Sequence, residues 1–251
     1  MRYAGIDIGS RTIELVIFDG NEIIEFSQTD SGFDPLASAR ELLKKVQYDK
    51  IMATGYGRHL FELAFEAPTV TEIKAYATGA RKLLPEVRTV LDIGGQDSKV
   101  IALNGDGKVI KFEMNDRCAA GTGKFLEIMS HTLGYDIASF GNKAFEAKGN
   151  ININSLCTVF AESEVTSLLA RGAKRQEIAL ALHESVVRRA VGMMKRVSEE
   201  EPVLFGGGVA LNPCIHRLLE KSLDRKITVP ERPQMVGALG AAMLAAEINN
   251  G

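Results

Sequence analysis

Two short turns in this sequence join an aspartate to glycines in a way that suits phosphate binding. They are Asp7-Ile8-Gly9-Ser10 and Asp92-Ile93-Gly94-Gly95-Gln96-Asp97, and each follows a short apolar stretch. Glycines let the backbone turn sharply and leave its N–H groups open to an anion. An aspartate at the end of a strand can hold Mg²⁺ through water. The pair therefore predicts two turns that clamp a polyphosphate and Mg²⁺ from both sides.

A third glycine-rich segment lies near the end of the chain. It reads Phe205-Gly206-Gly207-Gly208-Val209-Ala210-Leu211-Asn212, between a predicted strand and a predicted helix. Three successive glycines let the backbone approach a flat group or a phosphate at the N-terminus of the helix. We interpret this run as a second part of a nucleotide site.

Two of the three cysteines stand just before predicted helices. They are Cys118 and Cys157, and the third is Cys214. The N-terminal end of a helix stabilises a thiolate and so favours metal or cluster ligation, although free cysteines are often simply buried. Two cysteines cannot complete a four-thiolate site, but a two-fold homodimer would supply all four. Cys214 is expected to pack, and no role is assigned to the scattered histidines His59, His131, His183 and His216.

The two aspartate turns lie inside a repeated arrangement of strands. Strands are predicted over residues 3–8, 12–19 and 22–28, and again over 89–93, 98–103 and 108–114. A strand ending in Asp-Ile-Gly, a hairpin and a third strand thus occur twice, which predicts two similar half-structures that face each other. Helices are predicted over residues 35–46, 58–65, 71–84, 121–133, 158–170, 176–197, 212–223 and 235–248.

Composition limits the class of protein. The chain has 251 residues, of which 45% are apolar and 25% charged, and its formal net charge is -2. Such a chain can bury a sizeable core, and its charge gives no reason to expect nucleic acid as a partner. No apolar run reaches the roughly 20 residues that span a bilayer, and the N-terminus has no signal-peptide pattern. We expect a soluble cytoplasmic protein that does not bind a membrane.

The motifs together resemble the actin-like ATPase superfamily. The two aspartate turns match its phosphate motifs, and the run from Gly206 to Asn212 matches its adenosine motif. More narrowly, Met114-Asn115-Asp116-Arg117-Cys118-Ala119-Ala120-Gly121-Thr122-Gly123 and Cys157-Thr158-Val159-Phe160-Ala161-Glu162-Ser163-Glu164 resemble the activators of 2-hydroxyacyl-CoA dehydratases and the ATPase subunits of benzoyl-CoA reductase. The resemblance covers nearly the whole chain.

The resemblance implies an α/β fold of two ribonuclease-H-like (actin-like ATPase) domains, with ATP or ADP and Mg²⁺ in a cleft between them. We place the first domain at residues 1–84, completed by 235–251, and the second at 85–234. The resemblance also implies an oxygen-labile homodimer that shares one 4Fe-4S cluster through Cys118 and Cys157. ATP hydrolysis would drive a low-potential electron from ferredoxin or flavodoxin into an iron–sulfur partner, either a dehydratase or a double-cubane-type reductase.

Within this family, specific side chains are expected to act on the nucleotide. Asp7 and Asp92 would organise Mg²⁺, Gln96 would orient the attacking water, and Lys99 would add a cationic phosphate contact. The remaining predicted nucleotide contacts are Gly9, Ser10, Arg11, Gly94, Gly95, Gly121, Thr122, Gly123, Gly207, Gly208 and Asn212.

The first turn departs from the family pattern. Family members commonly have a lysine shortly after this turn, whereas this chain has Glu14 there and Arg11 directly after Ser10. Arg11 would replace a lost cationic contact, and the departure is compatible with a double-cubane-type reductase, instead of a dehydratase, as the partner. Two alternatives stay open at this point. One is a sugar or N-acetylsugar kinase with Asp116 as its base, and the other is an ATP-switched actin-like regulatory scaffold.

Overall fold

The structure is a computed structural model that describes residues 1–149, 151–153 and 157–248. Its strands are β1 (Tyr3–Ile8), β2 (Thr12–Phe18), β3 (Ile23–Asp30), β4 (Lys50–Thr54), β5 (Thr89–Ile93), β6 (Ser98–Leu103), β7 (Val109–Asn115) and β8 (Val203–Gly206). Its α-helices are α1 (Pro35–Leu43), α2 (Arg58–Phe65), α3 (Glu72–Leu83), α4 (Gly123–Thr132), α5 (Ile137–Phe145), α6 (Thr158–Ala170), α7 (Arg175–Val197), α8 (Pro213–Leu223) and α9 (Val236–Glu247).

The strands form two sheets with the same internal order. The first sheet is ordered β3-β2-β1-β4 and the second β7-β6-β5-β8. In each sheet three consecutive strands form a meander, and a later strand pairs with the first of them. The predicted duplication is confirmed, and each aspartate turn lies between the first two strands of its sheet.

The first sheet is covered on both faces because its central strands, β1 and β2, are largely apolar. On one face, Ala4, Ile6 and Ile8 of β1 pack in a cluster with residues of α1 and α2. On the other face, Val16 and Phe18 of β2 pack against α9. This alternation follows from the period of two along a strand, and it places Asp7 and Glu14 on the α9 face.

The core of the second unit is built largely around α7. This helix buries a continuous apolar stripe, from Ile178 through Leu182 and Val186 to Met194, against neighbouring helices and strands. The predicted helix over 176–197 is confirmed. Helix α5 was not predicted, although Asp136 caps its first turn and its buried residues, Phe140, Gly141 and Ala144, follow helical spacing.

The chain divides into two compact units. The first comprises residues 1–90, 101–112 and 230–251, and the second comprises residues 91–100 and 113–229. The domain boundaries predicted at residues 84 and 235 stay a prediction, and residues 249–251 of the predicted closing segment lie outside the described ranges. Within the part of the chain that the structure describes, no helix is long and apolar enough to cross a bilayer.

Candidate functional site

The first aspartate turn connects β1 to β2 in the first unit. Asp7 is the second-last residue of β1, is buried, and lies opposite Glu14 of β2 in the antiparallel register. Gly9 N donates to Thr12 O (3.1 Å) and closes the turn. Ser10 and Arg11 are exposed at its tip. The turn thus presents Ser10 and Arg11 to solvent above a buried carboxylate.

The second turn contains a buried ion pair. Lys99 Nζ lies 3.0 Å from Asp92 Oδ2 and 2.7 Å from Asp97 Oδ2, and the Lys99 and Asp92 side chains are 2% and 0% exposed. The predicted phosphate contact of Lys99 is wrong, because its ammonium group is held by two carboxylates inside the protein. Gln96 is exposed at the tip of the turn, where it can meet a ligand.

The N-terminus of α4 is fastened to this second turn. Gly123 N donates to Gly94 O (2.9 Å) and Lys124 N donates to Gly95 O (2.7 Å). The first four N–H groups of a helix have no partner within the helix, and carbonyl groups of the turn accept from two of them here. Thr122 is fully buried and its Oγ1 donates to Ala119 O (2.6 Å), while Gly121 has a φ of 92°. The predicted contacts of residues 121–123 with nucleotide stay a prediction; in the structure these residues join α4 to the turn.

The two glycines that follow β8 have different surroundings. Gly207 has a φ of 81°, and a Cβ on it would clash with Ile93 O and lie 2.6 Å from Asp92 Oδ1. A Cβ on Gly208, by contrast, would meet no atom within 4 Å. Gly207 lets the run pass close to the second turn, and Gly208 leaves room for a flat group.

Asn212, predicted to meet adenosine, is held at both ends of its amide. Its Oδ1 accepts from Cys214 N (3.0 Å) and Ile215 N (3.2 Å), so it caps the N-terminus of α8. Its Nδ2 lies 3.0 Å from Nε2 of His183, a residue of α7. The amide is thus engaged within the protein, and a contact with adenosine stays a prediction.

His183 fixes the orientation of that amide. Its Nδ1 lies 2.7 Å from Ala179 O, and because a carbonyl can only accept, Nδ1 carries the proton. Burial lowers the pKa of His183 to about 4, against the opposing effect of the Ala179 hydrogen bond. The neutral ring then accepts at Nε2, so Asn212 must donate from Nδ2. Spacing in the sequence gave no signal for this contact.

The three cysteines have different environments. Cys118 is partly exposed in the loop before α4, where Asn115 Nδ2 donates to its carbonyl (2.9 Å), and Cys157 is exposed as the N-cap residue of α6. Cys214 is buried, and burial raises the pKa of its thiol to about 12. Cys118 and Cys157 therefore have the accessibility that a cluster ligand needs, and Cys214 packs as predicted.

Cluster binding by Cys118 and Cys157 stays a prediction. Within residues 1–149, 151–153 and 157–248, no group of three or more His, Cys, Asp or Glu side chains is placed to hold a metal ion. Arg188 Nη2, on α7, donates to Ile153 O (2.9 Å) and so fastens Ile153 to that helix.

The chain is similar over nearly its whole length to proteins of one family. Residues 4–245 match the BadF/BadG/BcrA/BcrD ATPase family. The chain is 38% identical over 250 residues to the 2-hydroxyisocaproyl-CoA dehydratase activator of Clostridioides difficile, covering 96% of this chain and 93% of that protein.

Two solved structures agree closely with the fold. The activator of the 2-hydroxyisocaproyl-CoA dehydratase from Clostridium difficile with bound ADPNP gives a TM-score of 0.91 at 36% identity, covering 100% of this chain and 96% of that chain. Component A of the (R)-2-hydroxyglutaryl-CoA dehydratase from Acidaminococcus fermentans gives 0.93 at 37% identity, with 100% of both chains covered. The predicted α/β fold class and the predicted ATPase class are thereby confirmed. The chain belongs to the BadF/BadG/BcrA/BcrD ATPase family.

Proposed function

We propose that this ATPase is a reductive activator that passes a low-potential electron to an iron–sulfur partner enzyme. The partner would be a 2-hydroxyacyl-CoA dehydratase or a double-cubane-type relative, and the donor ferredoxin or flavodoxin. Names of similar proteins support the dehydratase class, since the C. difficile relative is a dehydratase activator. The protein would act as a homodimer, with Cys118 and Cys157 of each copy holding one shared 4Fe-4S cluster.

The observation that supports this function most directly is that α4 connects the second aspartate turn to the loop of Cys118. The N-terminus of this helix is bonded to Gly94 and Gly95 of the second aspartate turn, and the loop that enters it contains Cys118. Only four residues separate Cys118 from Gly123, the first residue of α4. A nucleotide that shifts the turn would therefore move a segment that ends at a thiol. A sugar kinase or a regulatory scaffold would give no role to this connection.

The residues of the turns have complementary roles in hydrolysis. Asp7 and Asp92 would orient Mg²⁺ and its waters, Ser10 and Arg11 would contact phosphate, and the exposed Gln96 would orient the attacking water. Bound Mg²⁺ supplies positive charge that neutralises the phosphate oxygens. Lys99 would act indirectly, because its ion pair with Asp92 fixes the carboxylate.

Exposed apolar side chains next to Cys157 also support a protein partner. Val159 and Phe160, directly after the Cys157 cap, are 67% and 68% exposed. Large apolar side chains in this position favour contact with a second protein surface. A bound 4Fe-4S cluster supplies a one-electron couple, whose potential depends on hydrogen bonds and solvent exposure.

Anaerobic preparation provides the test. The purified and reconstituted protein is expected to contain about four iron and four sulfide per dimer. Cys118→Ser and Cys157→Ser should each remove the cluster while ADP binding survives, and Cys214→Ser should retain it. An iron-free wild-type dimer, or full iron in both ligand variants, would refute the proposal. ATP-dependent phosphorylation of a sugar would instead favour a kinase, and polymerisation without iron a scaffold.

A further inference from the structure

His183, on α7, is a buried titratable residue that no step of hydrolysis or electron transfer uses. Its side chain is 0% exposed, and the ring packs against Phe140 of α5 while Nδ1 donates to Ala179 O. Burial of a polar ring costs free energy unless its nitrogens are hydrogen-bonded. The second nitrogen, Nε2, is satisfied by Asn212 Nδ2 at 3.0 Å. This bond joins the core of the second unit to the loop after β8.

Asn212 is the residue at which the loop after β8 becomes α8. Its backbone N donates to Val209 O (2.9 Å) and so closes the short 3₁₀ helix Gly208–Leu211. Its side-chain Oδ1 caps the first turn of α8 by accepting from Cys214 N and Ile215 N. The orientation of one amide therefore affects both the end of the glycine-containing loop and the start of the helix.

His183 determines which way this amide faces. The oxygen and nitrogen of an amide are similar in shape, so hydrogen-bond partners decide between its two orientations. A reversed amide would place Nδ2 against the N–H groups of Cys214 and Ile215, and donors would face each other. The ring excludes that orientation, because its Nδ1 carries the proton and its Nε2 can only accept. The neutral histidine thus selects the orientation of Asn212 that caps α8.

Helix α5 approaches the same amide through a glycine. A Cβ on Gly141 would clash with Asn212 Oδ1 and lie 3.0 Å from its Cγ. Gly141 follows Phe140, so two consecutive residues of α5 contact the asparagine and the histidine. Glycine inside a helix is less favourable than alanine, and here the close approach of α5 to the amide requires it.

The outer side of the loop is open, although both of its ends are held. Gly208 and Leu211 are exposed, the latter by 56%, and a Cβ on Gly208 would meet no atom within 4 Å. Gly207, by contrast, lies against Ile93 O of the second aspartate turn. A flat group that packs on the exposed residues therefore depends on a loop that is fixed at Gly207 and at Asn212.

We propose that His183 is a positioning residue for the nucleoside part of the nucleotide site. The histidine fixes the amide of Asn212, the amide fixes the end of the 3₁₀ helix, and this helix presents Gly208 to the adenine or ribose of the bound nucleotide. His183 itself touches no ligand and takes no part in phosphate chemistry. The proposal rests on the proposed nucleotide role of this loop, and it is independent of the cluster and of electron transfer.

Two ligands separate this role from a general effect on folding. ADP contains a nucleoside and pyrophosphate does not, and the binding of each to the full-length protein is measured by calorimetry in the presence of Mg²⁺. His183→Leu is similar in size but cannot accept a hydrogen bond, so Asn212 loses the partner that selects its orientation. Its ADP affinity should fall at least about tenfold, while its pyrophosphate affinity should stay within about twofold of the wild-type value. His183→Gln keeps an acceptor and should recover most of the ADP affinity.

A second variant disturbs the same amide from α5. Gly141→Ala would displace Asn212 Oδ1, although alanine by itself favours the helix. This variant should also lose ADP affinity and keep pyrophosphate affinity, and it decides the question if His183→Leu does not fold. The matched control is His216→Gln, because this partly buried histidine of α8 contacts Ile227 O instead of Asn212. The control should bind both ligands as the wild type does.

ATP hydrolysis gives an independent readout. In His183→Leu and in Gly141→Ala, KM for ATP should rise at least about tenfold with kcat unchanged, since the lost contact is made equally in the ground state and the transition state. The proposal is overturned if either variant folds and binds ADP as tightly as the wild type, if the affinities for ADP and pyrophosphate fall together, if kcat falls while KM is unchanged, or if His183→Gln binds ADP as weakly as His183→Leu. A wild type that binds ADP no more tightly than pyrophosphate would overturn the nucleotide role of the loop, and this proposal with it.

Discussion

Acidification should destabilise this protein through His183. The ring is fully buried, packs against Phe140 with 4.6 Å between ring centroids, and accepts at Nε2 from Asn212. Protonation would turn Nε2 into a donor that faces the Nδ2 donor of Asn212. Asn212 would then have to reverse its amide, and its oxygen would leave the N-terminus of α8.

The size and sign of the effect follow from the pKa of this histidine. Burial lowers the folded-state pKa from 6.5 to about 4. Because the folded pKa lies below the unfolded value, the stabilisation is fully present above about pH 6.5 and is lost as the pH falls toward 4. A shift of this size corresponds to about 3 kcal/mol of unfolding free energy, at 1.36 kcal/mol per pKa unit.

Urea unfolding at a series of pH values, followed by circular dichroism, measures this loss. His183→Gln keeps an acceptor for Asn212 but cannot titrate. Its unfolding free energy relative to that of the wild type should therefore rise by about 3 kcal/mol as the pH falls from 7 to 4. Carboxylates titrate in both proteins and cancel in the difference. His131→Gln, at an exposed position of α4, is the control and should follow the wild type. Parallel pH profiles for the wild type and His183→Gln would refute the reasoning.

Four further substitutions test the second unit. Lys99→Met should lower the unfolding free energy by about 3–5 kcal/mol, because it leaves Asp92 buried without its ammonium partner. Adding Asp92→Asn should restore most of that loss, and urea unfolding that shows equal stability for Lys99→Met and the wild type would contradict the ion-pair assignment. Gly207→Ala should cost at least roughly 1–3 kcal/mol in the same assay, because of its positive φ and its contact with Ile93 O. Gly208→Ala should keep wild-type stability but weaken ADP binding at least tenfold by calorimetry, and unchanged ADP affinity would place the nucleotide elsewhere.

The duplicated framework was predictable because its signals are local. Each copy of the unit combines apolar strands with an Asp-Ile-Gly turn and a glycine-containing hairpin, and strands of this kind keep the period of two. The pairing of Lys99 with Asp92 had a local signal too. The same seven-residue spacing separates Asp7 from Glu14, and a hairpin register places such residues opposite each other. The positive charge of Lys99, considered alone, suggested a phosphate contact, which is the wrong role for this side chain.

The contact between His183 and Asn212 had no such signal. These residues are 29 positions apart, His183 on α7 and Asn212 at the N-cap of α8, and only the packing of α7 against α8 brings them together. An asparagine in a glycine-rich nucleotide motif suggests ligand binding when read by itself. In the folded chain its amide is hydrogen-bonded to the N-terminus of α8 and to His183, so Asn212 stabilises the loop after β8.

Within the second unit, the loop of Cys118 and residue Ile153 are connected to different parts of the proposed nucleotide site. The loop of Cys118 leads into α4, whose first N–H groups donate to the second aspartate turn. Ile153 is bonded to Arg188 of α7, five residues from His183, and His183 orients Asn212 in the loop after β8.

Under the proposed function, these two connections would respond to different features of a bound nucleotide. Loss of the γ-phosphate would act on the second turn and hence on α4, whereas the adenosine group, which ATP and ADP share, would act on the loop after β8, which His183 of α7 supports through Asn212. Hydrolysis would then displace the loop of Cys118 while the contacts of α7 stay as they are. A cluster bound by Cys118 would sense this displacement through its hydrogen bonds and its exposure, two properties that set its potential.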